Sequence, residues 1–244
     1  MTTPANPLTK CANCDAAILP TQNYCANCGQ KACTPRLTLH EIGEEFVHAL
    51  AHVDRSVLSL IRQLLVNPGF VALEYVSGRR KRYFGPFAFL VVTVAFSSAV
   101  FAISGFQVVA ADSPNTLVEF LQHHVNLLVF ADVPILAAFS RLVGFSERFN
   151  YAEYLVLASY TGGIHMLFYS LIEVPVWYVF RADAEVLSRL FYVSLAIGPL
   201  YFAYGMYQFL PGRRFSSIFK ALLASLLTRI TVNAAVGLLA NLFS

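Results

Sequence analysis

Charge is scarce in this chain. Only 13% of its 244 residues are Asp, Glu, Lys or Arg, against about 25% in a soluble domain. At 57% hydrophobic, with a mean hydropathy of +0.60, it has the composition of a membrane protein. Beyond Arg229 there is no charged residue at all. The opening residues, 1–7, hold no apolar run, so no cleavable signal peptide is expected and the first membrane helix serves as the targeting signal. Also missing are a nucleophile elbow, a P-loop and a dinucleotide fingerprint. Nothing that remains makes a catalytic set, so the chain is expected not to be an enzyme.

Cysteine is confined to one stretch. Cys11, Cys14, Cys25, Cys28 and Cys33 are all that the chain contains. Cys11-x2-Cys14 and Cys25-x2-Cys28 are two knuckles that can supply four thiolates to one tetrahedral zinc. Residues 8–33 are therefore expected to form a structural zinc ribbon that has no open coordination position and folds mainly through its metal. Gly29, after the second knuckle, suits a turn of positive φ, and Cys33 is a spare thiol. Unliganded thiols or a redox pair are the plainer alternative. Lys10, Lys31 and Arg36 form no basic stripe, so nucleic acid is not an expected partner.

The basic charge gathers at Arg79, Arg80, Lys81 and Arg82. Tyr83 follows, and then an uncharged run from Phe84 to Ile103 that can cross a hydrocarbon core of roughly 30 Å. This seam should stay on the cytoplasmic face and meet anionic lipid headgroups. Residues 34–82 read as cytoplasmic juxtamembrane helices. Apolar residues at Leu39, Ile42, Phe46, Leu50, Val53, Val57, Leu60 and Leu64 predict an amphipathic helix over 39–65. Asn67-Pro68-Gly69 ends it, and a short helix, Phe70 to Val76, follows. The long helix could lie on the inner membrane surface, pack under the bundle, or pair with a second copy in a homo-oligomer. His40, Glu44, His48 and His52 recur every fourth residue along it. A second metal site is one reading of that ladder, and the solvated stripe of an amphipathic helix is the preferred one.

Residues 83–244 read as an all-α transmembrane domain with five spans near 84–104, 125–142, 151–172, 189–210 and 216–242. Cations favour alternate loops, which predicts a cytoplasmic N-terminus and an outer C-terminus. Tyr169, Trp177 and Tyr178 then fall at an outer aromatic belt. Four ionisable side chains lie within the spans: Asp132, Glu153, His165 and Arg229. Asp132 and Arg229 both sit roughly 16 Å from the inner boundary, with His165 slightly further out. Glu153 is near the inner end of its helix, within the same cluster or at headgroup level. The cluster reads either as a polar track for a proton, ion or lipid headgroup, or as an ion pair that holds helices together. Tyr192, Tyr201, Tyr204 and Tyr207 either line that cavity or pack. Gly162-Gly163 permits close helix approach.

The order of features resembles a family. Asn67-Pro68-Gly69, Glu74-Tyr75, Gly78 through Tyr83, and Pro86-Phe87 leading into the first span are similar to the bacterial zinc-ribbon membrane proteins grouped as a domain of unknown function. Asn150-Tyr151-Ala152-Glu153-Tyr154 is similar to that family's second motif. The resemblance implies an inner-membrane protein with a metal-bound cytosolic ribbon and assigns no activity. The leading expectation is a non-enzymatic protein whose ribbon docks a cytosolic protein partner. A transporter or channel using Asp132, His165 and Arg229 comes next, and a membrane enzyme acting on lipids third.

Overall fold

The computed structural model describes residues 9–34, 36–40, 56–104, 125–144, 149–180, 184–210 and 214–242. Most of the predicted amphipathic helix, with Glu44, His48 and His52, lies outside them; residues 39–40 are helical and His40 is exposed. The chain begins with a two-stranded antiparallel hairpin, β1 (Thr9–Lys10) and β2 (Ala17–Ile18). Helices α1 (Ser56–Val66) and α2 (Pro68–Val76) follow. Then come α3 (Pro86–Ser104), α4 (Val125–Gly144), α5 (Tyr151–Phe168), α6 (Val174–Phe180), α7 (Ala184–Phe209) and α8 (Arg214–Leu242). A π-helical segment, Tyr169–Glu173, joins α5 to α6.

Among the described residues, three helices are long and apolar enough to cross a membrane: Arg80–Ser104, Tyr151–Val179 and Phe215–Leu239. A fourth is added if the bent pair Val57–Val66 and Pro68–Val76 makes one span. The outward face of α8 carries Phe215, Phe219, Leu226, Ile230 and Leu238, each more than half exposed. A contiguous apolar face of that size needs a nonaqueous surrounding or a partner.

Helix α5 is the axis of the bundle. Every residue from Ala152 to Thr161 is buried, as befits a segment with apolar residues on every side that neighbours wrap. Helices α2, α3, α4 and α7 all pack on it, and α8 closes the ring against α4 and α7. Its glycines set the approach: a Cβ on Gly163 would meet the Phe89 ring at 2.6 Å, and one on Gly162 would meet Val133 at 3.0 Å. Farther along, Ser97 of α3 and Ser170 both donate to the Met166 carbonyl, at 2.9 and 2.6 Å. These contacts make α3 and α5 parallel. Gly144 meets Lys220 while Asp132 shares a cavity with Arg229, so α4 is antiparallel to α8; Gly198 meets His165 while Gly205 meets Leu157, so α7 is antiparallel to α5.

Asn67-Pro68-Gly69 does more than end a helix. It bends the chain by 118° between α1 and α2, and α2 turns into the core, with Pro68, Gly69, Val71, Ala72 and Tyr75 buried. Proline at the start of α2 has no N–H to lose. The backbone groups freed at the bend are taken up by α7. The Tyr201 hydroxyl donates to the Leu64 carbonyl at 2.7 Å, and the Tyr204 hydroxyl to the Val66 carbonyl at 2.9 Å. The Gly69 N–H donates to Gln208 Oε1 at 3.0 Å. Backbone groups at helix ends have no partner within the helix, and here side chains of α7 supply one.

Candidate functional site

The two cysteine knuckles face each other. Cys11 follows β1, and the chain reverses at Asp15 (φ 58°) so that Cys11 N–H reaches the Ala16 carbonyl at 2.9 Å. The second knuckle closes through Cys25 N–H to the Gln30 carbonyl at 2.7 Å, with Gly29 at φ 71°. The Sγ atoms of Cys11, Cys14, Cys25 and Cys28 all lie within 4.8 Å of one another. A tetrahedral thiolate site with ~2.3 Å bonds wants sulfurs roughly 3.8 Å apart, so the four residues could hold a metal ion. Burial pushes the Cys11 thiol up to about 11, while the Asn27 side chain pulls Cys14 down to about 6. A bound cation would hold all four as thiolates. Cys33 is exposed and stands outside the group.

The ribbon is fastened to the helices. Gln30, 3% exposed, donates from Nε2 to the Gly78 carbonyl at 2.5 Å and accepts from Lys81 N–H at 3.2 Å. Beyond the second knuckle, Arg36 forms a bidentate pair with Glu153, both bonds 2.9 Å. That carboxylate raises the Arg36 pKa above its ordinary value. Asn150 Nδ2 donates to the Leu37 carbonyl at 2.9 Å, and Leu37 is fully buried. Asn150 and Glu153 also form the capping box that starts α5, Glu153 N–H giving to Asn150 Oδ1 at 2.9 Å. Asn150→Ala should cost about 0.5–2 kcal/mol through the cap, read as a lower thermal midpoint in detergent. Faster proteolysis between the ribbon and α1 is expected alongside it, from the lost Leu37 contact.

Glu153 therefore stands apart from Asp132, His165 and Arg229. Gly163 of α5 is level with Phe89 of α3, so the start of α5 projects beyond the start of α3 by nine residues, ~14 Å. Glu153 sits in that projection, against the ribbon linker.

Asp132, His165 and Arg229 do come together. With Thr161, Ser225 and Thr228 they line one cavity of about 100 Å³ between α4, α5, α7 and α8. Gly198 and Pro199 form the α7 wall. A Cβ on Gly198 would lie 2.9 Å from His165 Cε1, so glycine there lets the imidazole rest on the α7 backbone. Tyr169 packs edge-on against His165, ring centroids 4.8 Å apart.

The tyrosines of α7 are not part of this lining. Tyr201 and Tyr204 hold the α1–α2 bend, and Tyr192 is 68% exposed. The basic seam is also partly spent within the chain. Glu74 binds Arg79 at 2.6 Å and Arg82 at 3.5 Å and accepts from the Tyr83 hydroxyl, while Lys81 and Arg82 keep exposed surface. Gln30, Arg36 and Gln208 carry no sequence signal that singles them out; Glu153 had one, three residues after Asn150, in the capping box.

Residues 54–97, which cover α1, α2, the seam and most of α3, match a family described as "Protein of unknown function (DUF3667)". No curated protein and no solved structure matches the chain.

Proposed function

We propose that this is a non-enzymatic integral protein of the bacterial inner membrane in which a small polar species passes by way of the Asp132–His165–Arg229 chamber. In this reading α3, α4, α5, α7 and α8 all cross the bilayer, with the N-terminus in the cytoplasm, the C-terminus outside and anionic lipids around the seam. The cysteine group holds one zinc as a structural ion. The single observation that carries the proposal is convergence: three ionisable side chains from three helices far apart in sequence line one cavity within otherwise apolar segments. Charge in such a place is costly and marks ion and substrate pathways. The alternating direction of the five helices and the cations on alternate loops support the threading.

The test is permeability of vesicles containing the purified protein, measured for H⁺, Na⁺, K⁺ and Cl⁻ against protein-free vesicles. Wild type should raise at least one, and Asp132→Leu/Arg229→Leu should abolish it while remaining folded. A purely structural pair behaves otherwise. Removing one partner then destabilises by about 3–5 kcal/mol and removing both restores stability, with permeability unchanged throughout.

Docking of a cytosolic protein is the second reading. Leu19 and Tyr24 on the ribbon are 50% and 57% exposed. An organic lipid substrate finds no support in a chamber of about 100 Å³.

A further inference from the structure

We infer that the species the chamber takes is a proton, carried through a few waters to the Asp132 carboxylate, and neither an anion nor an organic solute. This rests on the chamber reading above and names its substrate.

Size is the first constraint. Pockets for organic ligands run to roughly 300–1,000 Å³, and this half-open one offers about 100 Å³. That is room for several waters, each needing roughly 10–15 Å³ of such space, or for one small ion.

Hydrogen-bond polarity is the second. Each lining hydroxyl gives its only proton to its own helix: Thr161 to the Leu157 carbonyl at 2.8 Å, Ser225 to Ala221 at 2.9 Å, and Thr228 to Ala224 at 2.9 Å. What these hydroxyls have left to offer is lone pairs. Pro199, on the α7 wall, has no N–H to donate. The wall's strong donors belong to Arg229, with His165 beside it, and across the cavity from Arg229 stands the Asp132 carboxylate. An anion is bound by converging N–H and O–H groups, and here it would meet that carboxylate and three hydroxyls with only lone pairs to offer. Hydronium and water are donors, and they suit this wall.

Charge is the third. The titratable or charged groups facing Asp132 across the cavity are His165 from α5 and Arg229 from α8; the α7 wall contributes none among the lining residues, and α4 contributes no other. Arg229 compensates an ionised Asp132, which allows the carboxylate to exist there without a bound metal cation. Proton exchange is then balanced: hydronium gives its proton to the carboxylate and leaves water, and the acid returns it to water on release. No oxidant or co-reactant is involved.

Two measurements test this on the full-length protein. In vesicles with the potential clamped by K⁺ and valinomycin, wild type should dissipate a pH gradient and leave chloride and sodium gradients intact. Asp132→Asn, which keeps the size and loses the proton site, should fall to the level of protein-free vesicles, and Asp132→Glu should retain flux. Independently, infrared difference spectra over a pH titration should show the carbonyl band of a protonated carboxylic acid that Asp132→Asn removes. Chloride flux without proton flux overturns the inference and leaves the chamber reading standing. A carboxylic acid band without flux of any ion supports the proton on Asp132 and sinks the passage reading. Absence of both the band and proton flux overturns the inference outright.

Discussion

Gly69→Ala is expected to unseat α2, at a cost of about 3 kcal/mol or more, the top of the range for overpacking. The reason is the identity of the atoms in the way. A Cβ at this position would sit 1.9 Å from the Gly205 carbonyl oxygen and 2.7 Å from both Phe209 N and Gln208 Cβ. Two of those three are backbone of α7, and backbone cannot rotate aside as a side-chain tip can. Relieving the clash means moving α2 off α7, which also breaks the Gly69 N–H bond to Gln208. The expected readout is loss of the folded fraction in detergent, or a much lower thermal midpoint. Gly237 gives the contrast, since nothing lies within 4 Å of its Cβ. Gly237→Ala should change stability by no more than about 1 kcal/mol, the helix propensity difference. Equal effects from the two would mean that the α2–α7 contact is not tight.

Loss of metal from the four-cysteine group is expected to be the second large effect. The ribbon's buried cluster is only Cys11, Ile18 and Cys25 with a few partly buried neighbours, too little apolar surface to fold unaided. In modules of this size metal binding contributes about 10–16 kcal/mol of apparent free energy, and that energy is the folding energy. Chelation, or Cys25→Ser/Cys28→Ser, should therefore unfold residues 9–34. The loss should spread, because Gln30 grips both Gly78 and Lys81. Amides of residues 78–82 should exchange faster, and the thermal midpoint of the helical bundle should drop. Metal analysis should find one zinc per chain in wild type and none in the double variant. If metal is lost with no change in exchange at 78–82, the ribbon is an independent appendage and Gln30 is not a clasp.

The parts of this structure that could be read in advance are those fixed by short-range chemistry. Metal ligands must be spaced for one ion, so Cys11 through Cys28 announce themselves. The Asn150–Glu153 box and the break at Asn67-Pro68-Gly69 are equally local. Depth arithmetic brought Asp132 and Arg229 to one level, because α4 and α8 pack along their length and share a register. The same arithmetic leaves Glu153 open between that cluster and headgroup level. It assumed that every helix starts at one plane, whereas α5 begins about two and a half turns beyond α3, as the Gly163–Phe89 contact fixes it. For Tyr201 and Tyr204 the spacing leaves lining and packing both open, for a related reason. Tyrosines at helical spacing announce a face, and nothing in their spacing says that the face meets two orphaned carbonyls. Helix α2 is apolar apart from Glu74, which implies burial without naming the neighbours.

The bend between α1 and α2 carries a consequence for biosynthesis. Its carbonyls at Leu64 and Val66 are satisfied by residues 137 and 138 positions later. At roughly 5–20 residues per second, the ribosome needs on the order of ten seconds to deliver them. During that interval α1 and α2 exist without α7. A chain arrested before residue 200 should show a protease-sensitive junction at Asn67, and one arrested after the whole of α7 has emerged should not. Closure of the bend thereby reports that the fourth long helix has arrived.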